Sequence, residues 1–307
     1  MSADPAAPRV NLYEAAAANR VKSVVLVAAF IAIVAALGYV LGELFASGAG
    51  IVAVPAAAAL SSAWALAAYL AGDKVILGLS RAREIGPAAE PRLRNVVEAL
   101  AIGLGLPPPR LHLIEDSAPN AFATGRDPAH ASVAVTRGLL DKLDRAELEG
   151  VIAHELSHIG NRDIRLLVLV TVLVGTVALL SDWLLRSLRW GGGRRDRRGG
   201  ASGVLVLIAF ALALLAPLVA SLIRLAVSRQ REYLADASGA LLTRYPPGLA
   251  SALRKIAADR EALEVANKAT AALYFVNPLK DLPRAFDGLF ETHPPIAERI
   301  RRLDAMR

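Results

Sequence analysis

A chain of 307 residues that is 55% hydrophobic, with a mean hydropathy of +0.44, is too apolar for an ordinary soluble enzyme, so membrane spans are expected. The absence of cysteine excludes disulfides, thiolate metal sites and cysteine nucleophiles. The formal net charge of +7 comes without a basic-aromatic recognition pattern, so no nucleic-acid partner is predicted; excess Lys and Arg is typical of the cytoplasmic flanks of membrane spans.

Two apolar runs near the N-terminus predict a membrane hairpin over 23–72, after a polar cytoplasmic segment, 1–22. Ser23–Gly42 and Ile51–Gly72 are uncharged and long enough to cross a bilayer. A cleaved signal peptide is the competing interpretation, because Phe45–Gly50 offers small residues for cleavage, but the first run is longer than a typical signal core. Basic residues before the first run and after the second place both ends of the hairpin in the cytoplasm.

Residues 73–163 are predicted to form the first half of a cytoplasmic domain. A helix is expected over Glu90–Leu104, before a glycine and a run of prolines. Three short strand candidates follow, separated by turn residues, and predict a small β-sheet: Arg110–Glu115, Ala121–Thr124 and Ala131–Thr136.

A helix with the pattern H-E-x-x-H comes next. Asp144 and Glu147 resemble a capping box, and apolar residues continue from them at helical spacing. Since residues four apart share a helix face, His154 and His158 can bind one metal ion, with Glu155 beside them as general base for an attacking water. This pattern indicates a zinc hydrolase. The alternative is a chance match on a helix whose histidines only contact a neighbouring helix.

Two further apolar runs, Leu166–Ser181 and Val204–Ile223, predict a second hairpin over 164–226, joined by an Arg-rich loop. The first run is marginal in length for a span, so a pair of buried core helices is the alternative. The positive charge of the loop favours a cytoplasmic position, and the depth of this hairpin in the bilayer therefore stays open.

Residues 227–307 are predicted to form the second, mostly helical half of the catalytic domain. Its first helix places Glu232 and Asp236 four apart on one face. A catalytic zinc usually has three protein ligands and water, so Glu232 is the expected third ligand. Asp236 is expected to accept the outer N–H of a metal-bound histidine. A solvated helix face is the alternative for this pair.

Together these features resemble the HtpX family of membrane zinc metalloproteases, which are relatives of the CAAX prenyl endoproteases. The resemblance rests on a hydrophobic hairpin and four motifs: PNAFATG at Pro119–Gly125, HELSHIGNRD at His154–Asp163, SRQREYLADASGA at Ser228–Ala240 and THPPIAERI at Thr292–Ile300. It implies a mainly α multi-pass protein of the bacterial cytoplasmic (inner) membrane, with about four transmembrane helices. It also implies a gluzincin-like α+β zinc protease domain with a small β-sheet, facing the cytoplasm.

The same resemblance implies one Zn²⁺ per chain and assigns roles to further residues. His293 and Arg299 are similar to a His and an Arg that approach the site in relatives; His293 is expected to donate to the oxyanion and Arg299 to contact substrate. A structural His before a helix starting at Pro294 is the alternative. An extended substrate is expected to pair along the strand of PNAFATG. Its predicted contacts are Asn120, Ala121, Phe122 and Ala123. Asn120 capping a turn is the alternative for that residue.

The predicted function is hydrolysis of peptide bonds in misfolded or damaged membrane proteins, as part of protein quality control and the stress response. A prenyl-protein processing protease is one alternative, although known members have more spans. A zinc-stabilised membrane adaptor or holdase without catalysis is another, but a structural zinc site usually has four protein ligands and no free base. A zinc transporter is disfavoured, because the apolar runs contain no His or Glu.

Overall fold

The computed structural model of the protein describes residues 12–173, 175–176, 229–264, 273–276 and 294–306. Several predictions lie outside these residues. They concern His293, the apolar run Val204–Ile223, the last part of the run Leu166–Ser181, and the Arg-rich loop between the two runs.

Two long helices, α1 (Leu12–Phe45) and α2 (Ala49–Leu79), form the N-terminal hairpin. The turn between them contains Gly48, whose φ of 84° is readily adopted only by glycine. Only 17% of the most apolar window of each helix is buried, so most of this apolar surface faces outward, unlike that of a core helix. The part of the chain that the structure describes thus contains two candidate membrane spans where the sequence predicts them, and a total of four stays a prediction.

A small mixed sheet follows, with the strand order β1-β2-β4-β3. The strands β2 and β4 are parallel, whereas β1 pairs antiparallel with β2 and β3 pairs antiparallel with β4. The three predicted strands are confirmed to within one residue, and the two-residue β1 was not predicted. Because β3 is an edge strand, one side of it is available to a further segment of chain. The strand bounds are Arg83–Glu84 (β1), Arg110–Ile114 (β2), Ala121–Gly125 (β3) and Ala131–Thr136 (β4).

Helices pack on the sheet and around a shared core. Their bounds are Pro91–Leu104 (α3), Arg137–Lys142 (α4), Arg145–Gly160 (α5), 163–173 (α6), Arg229–Thr243 (α7), Pro246–Ala258 (α8) and Ile296–Asp304 (α9). The predicted capping box begins α5: Asp144 accepts from the Glu147 N–H, and the Glu147 carboxylate accepts from the Asp144 N–H. The helices α5 and α7 approach closely at Gly239, where a Cβ would lie 3.0 Å from the His154 backbone nitrogen. This contact brings the acidic face of α7 next to the histidines of α5.

The sheet with its helices and the N-terminal hairpin are joined by two buried clusters. The first residues of α6 pack between α1 and α2, in a cluster formed by Leu26, Phe30, Ala65, Ala68, Leu166, Leu169, Val170 and Leu173. At its C-terminal end α2 buries Ile76 and Leu77 together with Phe122 of β3 and Tyr274. The histidine helix is therefore followed directly by a helix that enters the membrane hairpin.

Candidate metal centre

Three buried side chains converge between α5 and α7. The Nε2 atoms of His154 and His158 are 3.1 Å apart. Of the two Glu232 carboxylate oxygens, Oε2 lies 3.8 Å from His154 Nε2 and Oε1 lies 3.4 Å from His158 Nε2. One ligand atom from each residue lies within 4.8 Å of the others, which is close enough for all three to bind one ion. The structure thus brings together the three ligands that the sequence predicts.

The outer nitrogens of both rings contact carboxylates. His154 Nδ1 lies 2.9 Å from Asp236 Oδ1, and His158 Nδ1 lies 2.9 Å from Asp163 Oδ2. Ionised carboxylates only accept hydrogen bonds, so each Nδ1 carries a hydrogen, and the two Nε2 atoms are the nitrogens that face a metal ion. The two Nε2 atoms and the Glu232 carboxylate meet around one point, where a positive charge, either a proton on His158 or a metal ion, is favourable. This donor set fits zinc and related divalent ions.

The titration of the two rings is consistent with such a site. Burial lowers the pKa of His154 to about 4, which keeps this ring neutral and able to bind a metal. Burial also acts to lower the pKa of His158, but the hydrogen bond to Asp163 and the charge of Glu232 raise it to about 9. Positive charge is therefore favoured at the point where the two rings and Glu232 meet.

Glu155 lies next to the ligands without being one of them. It is 2% exposed and lines the same cavity as His154, His158 and Glu232. Burial raises the pKa of Glu155 to about 7, although His158 and the backbone N–H of Ala123 act to lower it. A carboxyl group with a pKa near neutrality can both accept and return a proton, as a general base must.

The predicted substrate residues of β3 lie at different places. Ala123 lines the cavity, whereas Phe122 is fully buried against Tyr274 with ring centroids 5.1 Å apart. The Ala121 carbonyl accepts from the Phe275 N–H at 2.8 Å. The Asn120 side chain is bound to the backbone of Val276, donating to its carbonyl at 2.9 Å and accepting from its N–H at 3.3 Å. Residues 273–276 therefore pair with the start of the β3 edge, and Ala123 is the predicted contact that faces the cavity.

Arg299 lies behind His154, not on the wall of the cavity. It is 0% exposed, and its guanidinium donates from Nε to Asp236 Oδ2 at 2.8 Å and from Nη2 to Asp236 Oδ1 at 2.7 Å. Burial acts to raise the pKa of Asp236, but the charge and hydrogen bonds of Arg299 lower it to about 2. The expected substrate contact by Arg299 does not fit this position, because a fully buried guanidinium bound to a carboxylate has no free surface for a peptide.

Sequence reasoning missed two polar residues near the ligands. Asp163, which ends the motif HELSHIGNRD, binds His158 as Asp236 binds His154. Asn19 of α1 is 3% exposed and donates to Asp163 at 2.6 Å. Its position 144 residues earlier in the chain gives no periodic pattern that could have linked it to the site.

Comparison with known proteins places this site in a family. Residues 87–307 match Peptidase family M48. The chain belongs to peptidase family M48. The M48 match includes α5 and α7, and therefore all three candidate ligands and Glu155.

Relatives of this M48 protein cover almost its whole length. It is 45% identical over 302 residues to "Protease HtpX homolog" of Thermoanaerobacter pseudethanolicus, covering 97% of this chain and 99% of the relative. It is 52% identical over 239 residues to "Protease HtpX homolog" of Dictyoglomus turgidum, covering 78% and 77%. The solved structure of S. mikatae Ste24p aligns with a TM-score of 0.47 at 19% identity, over 80% of this chain and 57% of that one. The predicted HtpX-type membrane metalloprotease is confirmed.

Proposed function

We propose that this M48 protein is a zinc endopeptidase of the bacterial cytoplasmic membrane that cleaves misfolded or damaged membrane proteins on the cytoplasmic side. The observation that carries the proposal is that one narrow cavity is lined by two imidazoles and two carboxylates with different surroundings. His154, His158 and Glu232 present their ligand atoms to one point, and Glu155 lies beside them with a raised pKa. An arrangement of three ligands with a separate base is that of a catalytic site, not of a structural one.

Zinc held by His154, His158 and Glu232 would supply a Lewis acid that polarises a peptide carbonyl and acidifies a water molecule. Glu155 would take a proton from the attacking water and return it to the nitrogen of the leaving amine. The cavity is narrow and its wall includes Leu273, Tyr274 and Phe275, so bulk water is excluded around Glu155. Asp236 and Asp163 fix the rotation and tautomer of the two rings by accepting from each Nδ1.

A peptide substrate would lie along β3 beyond its contact with residues 273–276. Ala123 is the strand residue on the cavity wall, and a small side chain at this position lets a second backbone approach closely. Pairing of backbone to backbone selects extended segments with little regard for side chains, which suits a protease that removes damaged proteins of many sequences. The expected donation to the oxyanion by His293 stays part of this proposal.

Membrane proteins are proposed as substrates because the site is attached directly to the membrane hairpin. The helix α6 begins at 163, five residues after the ligand His158, and its apolar face packs on α1 and α2. Unfolded segments of proteins in the same bilayer would therefore have a high local concentration near the cavity. The second hairpin over 164–226 and the count of about four spans belong to this proposal as well.

The base assignment is tested by Glu155→Gln in the full-length protein, purified in detergent and assayed for zinc content and casein cleavage. Glu149→Gln is the matched control, since it makes the same change on the outer face of the same helix, where Glu149 pairs with Arg145. Glu155→Gln is expected to keep its zinc and to lose about 10²- to 10⁴-fold in cleavage rate, the typical contribution of a general base. Cleavage by Glu155→Gln at the wild-type rate would contradict the proposal and favour a zinc-stabilised adaptor that copurifies with a protease.

The orientation can be tested directly because the chain contains no cysteine. Ser47→Cys, in the exposed turn between α1 and α2, is expected to react with an impermeant maleimide added to intact spheroplasts. Arg301→Cys, on the exposed face of α9, is expected to react only after the membrane is permeabilised. The reverse pattern of labelling would place the catalytic domain outside the cytoplasm.

A further inference from the structure

The end of the histidine helix is attached to the membrane hairpin by one buried amide. The Asn19 side chain, on α1 just before its apolar stretch, donates from Nδ2 to Asp163 Oδ1 at 2.6 Å and to the Asn161 carbonyl at 3.3 Å. Asn19, Asn161 and Asp163 are each 1–3% exposed. A buried polar side chain is retained where its hydrogen bonds are needed, so this contact calls for an explanation beyond helix packing.

Asp163 connects this amide to the candidate metal centre. While one of its oxygens accepts from Asn19, the other lies 2.9 Å from Nδ1 of His158. The backbone turns immediately before it, because Arg162 adopts a left-handed conformation with φ of 58°. This turn ends α5 and directs the Asp163 side chain back toward the ring. Because the two oxygens of a carboxylate move together, the hydrogen bond from Asn19 to one oxygen of Asp163 also fixes the oxygen that contacts His158. The position of α1 therefore determines the position of the acceptor of His158.

We propose that Asn19 is a positioning residue for His158, so that metal affinity depends on the docking of membrane helix α1 against the catalytic domain. This inference rests on the metal site of the proposed function. The N-terminal helix α1 then contributes to metal binding as well as anchoring the protein in the membrane. Docking of α1 and retention of the metal would be thermodynamically linked, since each favours the same orientation of Asp163.

The expected loss of metal affinity depends on how many contacts separate Asn19 from the metal site. Loss of an outer hydrogen-bond partner of a metal-bound histidine typically costs about 10- to 100-fold in metal affinity. Asn19 is one bond further away, and Arg231 Nη1, at 3.6 Å from Asp163 Oδ1, is near enough to attract the carboxylate once the amide is gone. Asn19→Ala is therefore expected to raise the zinc dissociation constant about 3- to 10-fold, as for loss of a single hydrogen bond.

The test uses the full-length protein in detergent, stripped of metal and titrated with zinc against a chromophoric chelator. Ser23→Ala is the matched control, because Ser23 is buried one turn later on α1 and its hydroxyl donates only to the Asn19 backbone carbonyl among the contacts described. Its zinc dissociation constant is expected to stay within about 2-fold of wild type. Asn19→Ser keeps a polar group but is too short to reach Asp163, so it gives the same loss if Asn19→Ala does not fold.

A double-mutant cycle distinguishes a role of Asn19 in positioning His158 from a role in stability alone. In an Asp163→Ala background the acceptor of His158 is already lost, so Asn19→Ala is expected to have no further effect on zinc affinity. Equal dissociation constants for Asn19→Ala and Ser23→Ala, or additive effects in the cycle, would overturn the inference. Glu232→Ala separates the two proposals: unchanged affinity there contradicts the metal site itself, whereas weakened binding there with unchanged binding in Asn19→Ala contradicts only the role of Asn19.

Discussion

The two histidines of the candidate metal centre are oriented by different parts of the molecule and by different kinds of interaction. His154 contacts Asp236, which Arg299 holds with two charged hydrogen bonds, and all of these partners belong to the catalytic domain. His158 contacts Asp163, which a neutral amide from membrane helix α1 holds. A buried ion pair is costly to form and costlier to leave half-made, whereas a neutral amide can be lost at lower cost. The orientation of His154 is therefore part of the fold, and that of His158 depends on how the fold meets the membrane.

The largest effect is expected when the ion pair between Arg299 and Asp236, which orients His154, is broken. Arg299→Leu leaves Asp236 as a buried charge without its cation, which is expected to destabilise the protein by about 3–5 kcal/mol. Thermal or denaturant unfolding of the zinc-free protein in detergent measures this loss. The control is Arg302→Leu, on the same helix as Arg299, which removes an exposed guanidinium that lies 3.7 Å from the ring centroid of Tyr233 on α7. Equal unfolding midpoints for the two variants would show that Arg299 does not carry the fold.

An intermediate effect is expected from substitution of Asp236, the carboxylate that contacts His154. Asp236→Asn is expected to weaken zinc binding about 10- to 100-fold, because a neutral amide is a weaker acceptor than a carboxylate and can also donate, so it no longer fixes the tautomer of His154. Combined with Asn19→Ala, its effect should be additive, since the two residues act on different ligands and share no partner among the described contacts. Competition titrations of the double variant provide the measurement. Strong non-additivity would mean that the two histidines are not oriented independently.

The smallest effect is expected from Arg231, a cation near the carboxylate of Asp163 that orients His158. Arg231 Nη1 lies 3.6 Å from Asp163 Oδ1, too far for a good hydrogen bond, and that oxygen already accepts from Asn19. Arg231→Gln is expected to change the zinc dissociation constant by less than about 3-fold, because a contact of 3.6 Å is too long for a good hydrogen bond. Arg229→Gln, on the exposed face of the same helix, is the control. A loss as large as that of Asp236→Asn would show that charge orients both histidines, and the contrast between them would disappear.

The candidate ligands and Glu155 could be predicted from the sequence because helical periodicity determines which residues share a face. Residues four apart on α5 and on α7 must share a face, and the capping box at Asp144 determines where α5 begins. The turn residues between the strands and a weak alternation of apolar and polar residues were sufficient to predict β2, β3 and β4, although these strands bury nearly every residue. The two residues of β1 are too few to show a pattern.

The contact of Asp236 with His154 was predicted from its place on α7, whereas the orientation of His158 was not predictable in this way. Asn19 and Asp163 meet across 144 residues of chain, and a single amide on an apolar helix carries no periodic signal. Arg299 was expected at the substrate because it is similar to an Arg that approaches the site in relatives, yet it is fully buried and its charge is matched by Asp236 inside the core. Similarly, the Asn120 amide was expected to bind substrate but binds Val276 of the chain itself. Contacts between distant polar groups depend on tertiary packing, which sequence spacing does not encode.

The length of α2 also bears on the distance between the cleft and the bilayer. The 31 residues of α2 form one helix about 46 Å long, whereas the hydrocarbon layer of a bilayer is about 30 Å thick. Its far end, with Ile76 and Leu77, is buried in the same cluster as Phe122 of the substrate strand. The part of α2 that extends beyond the hydrocarbon layer therefore separates the cleft from the lipid. For the membrane-protein substrates proposed above, a peptide bond still inside the bilayer would be out of reach, and the substrate would first have to be partly extracted or expose a loop at the level of the cleft.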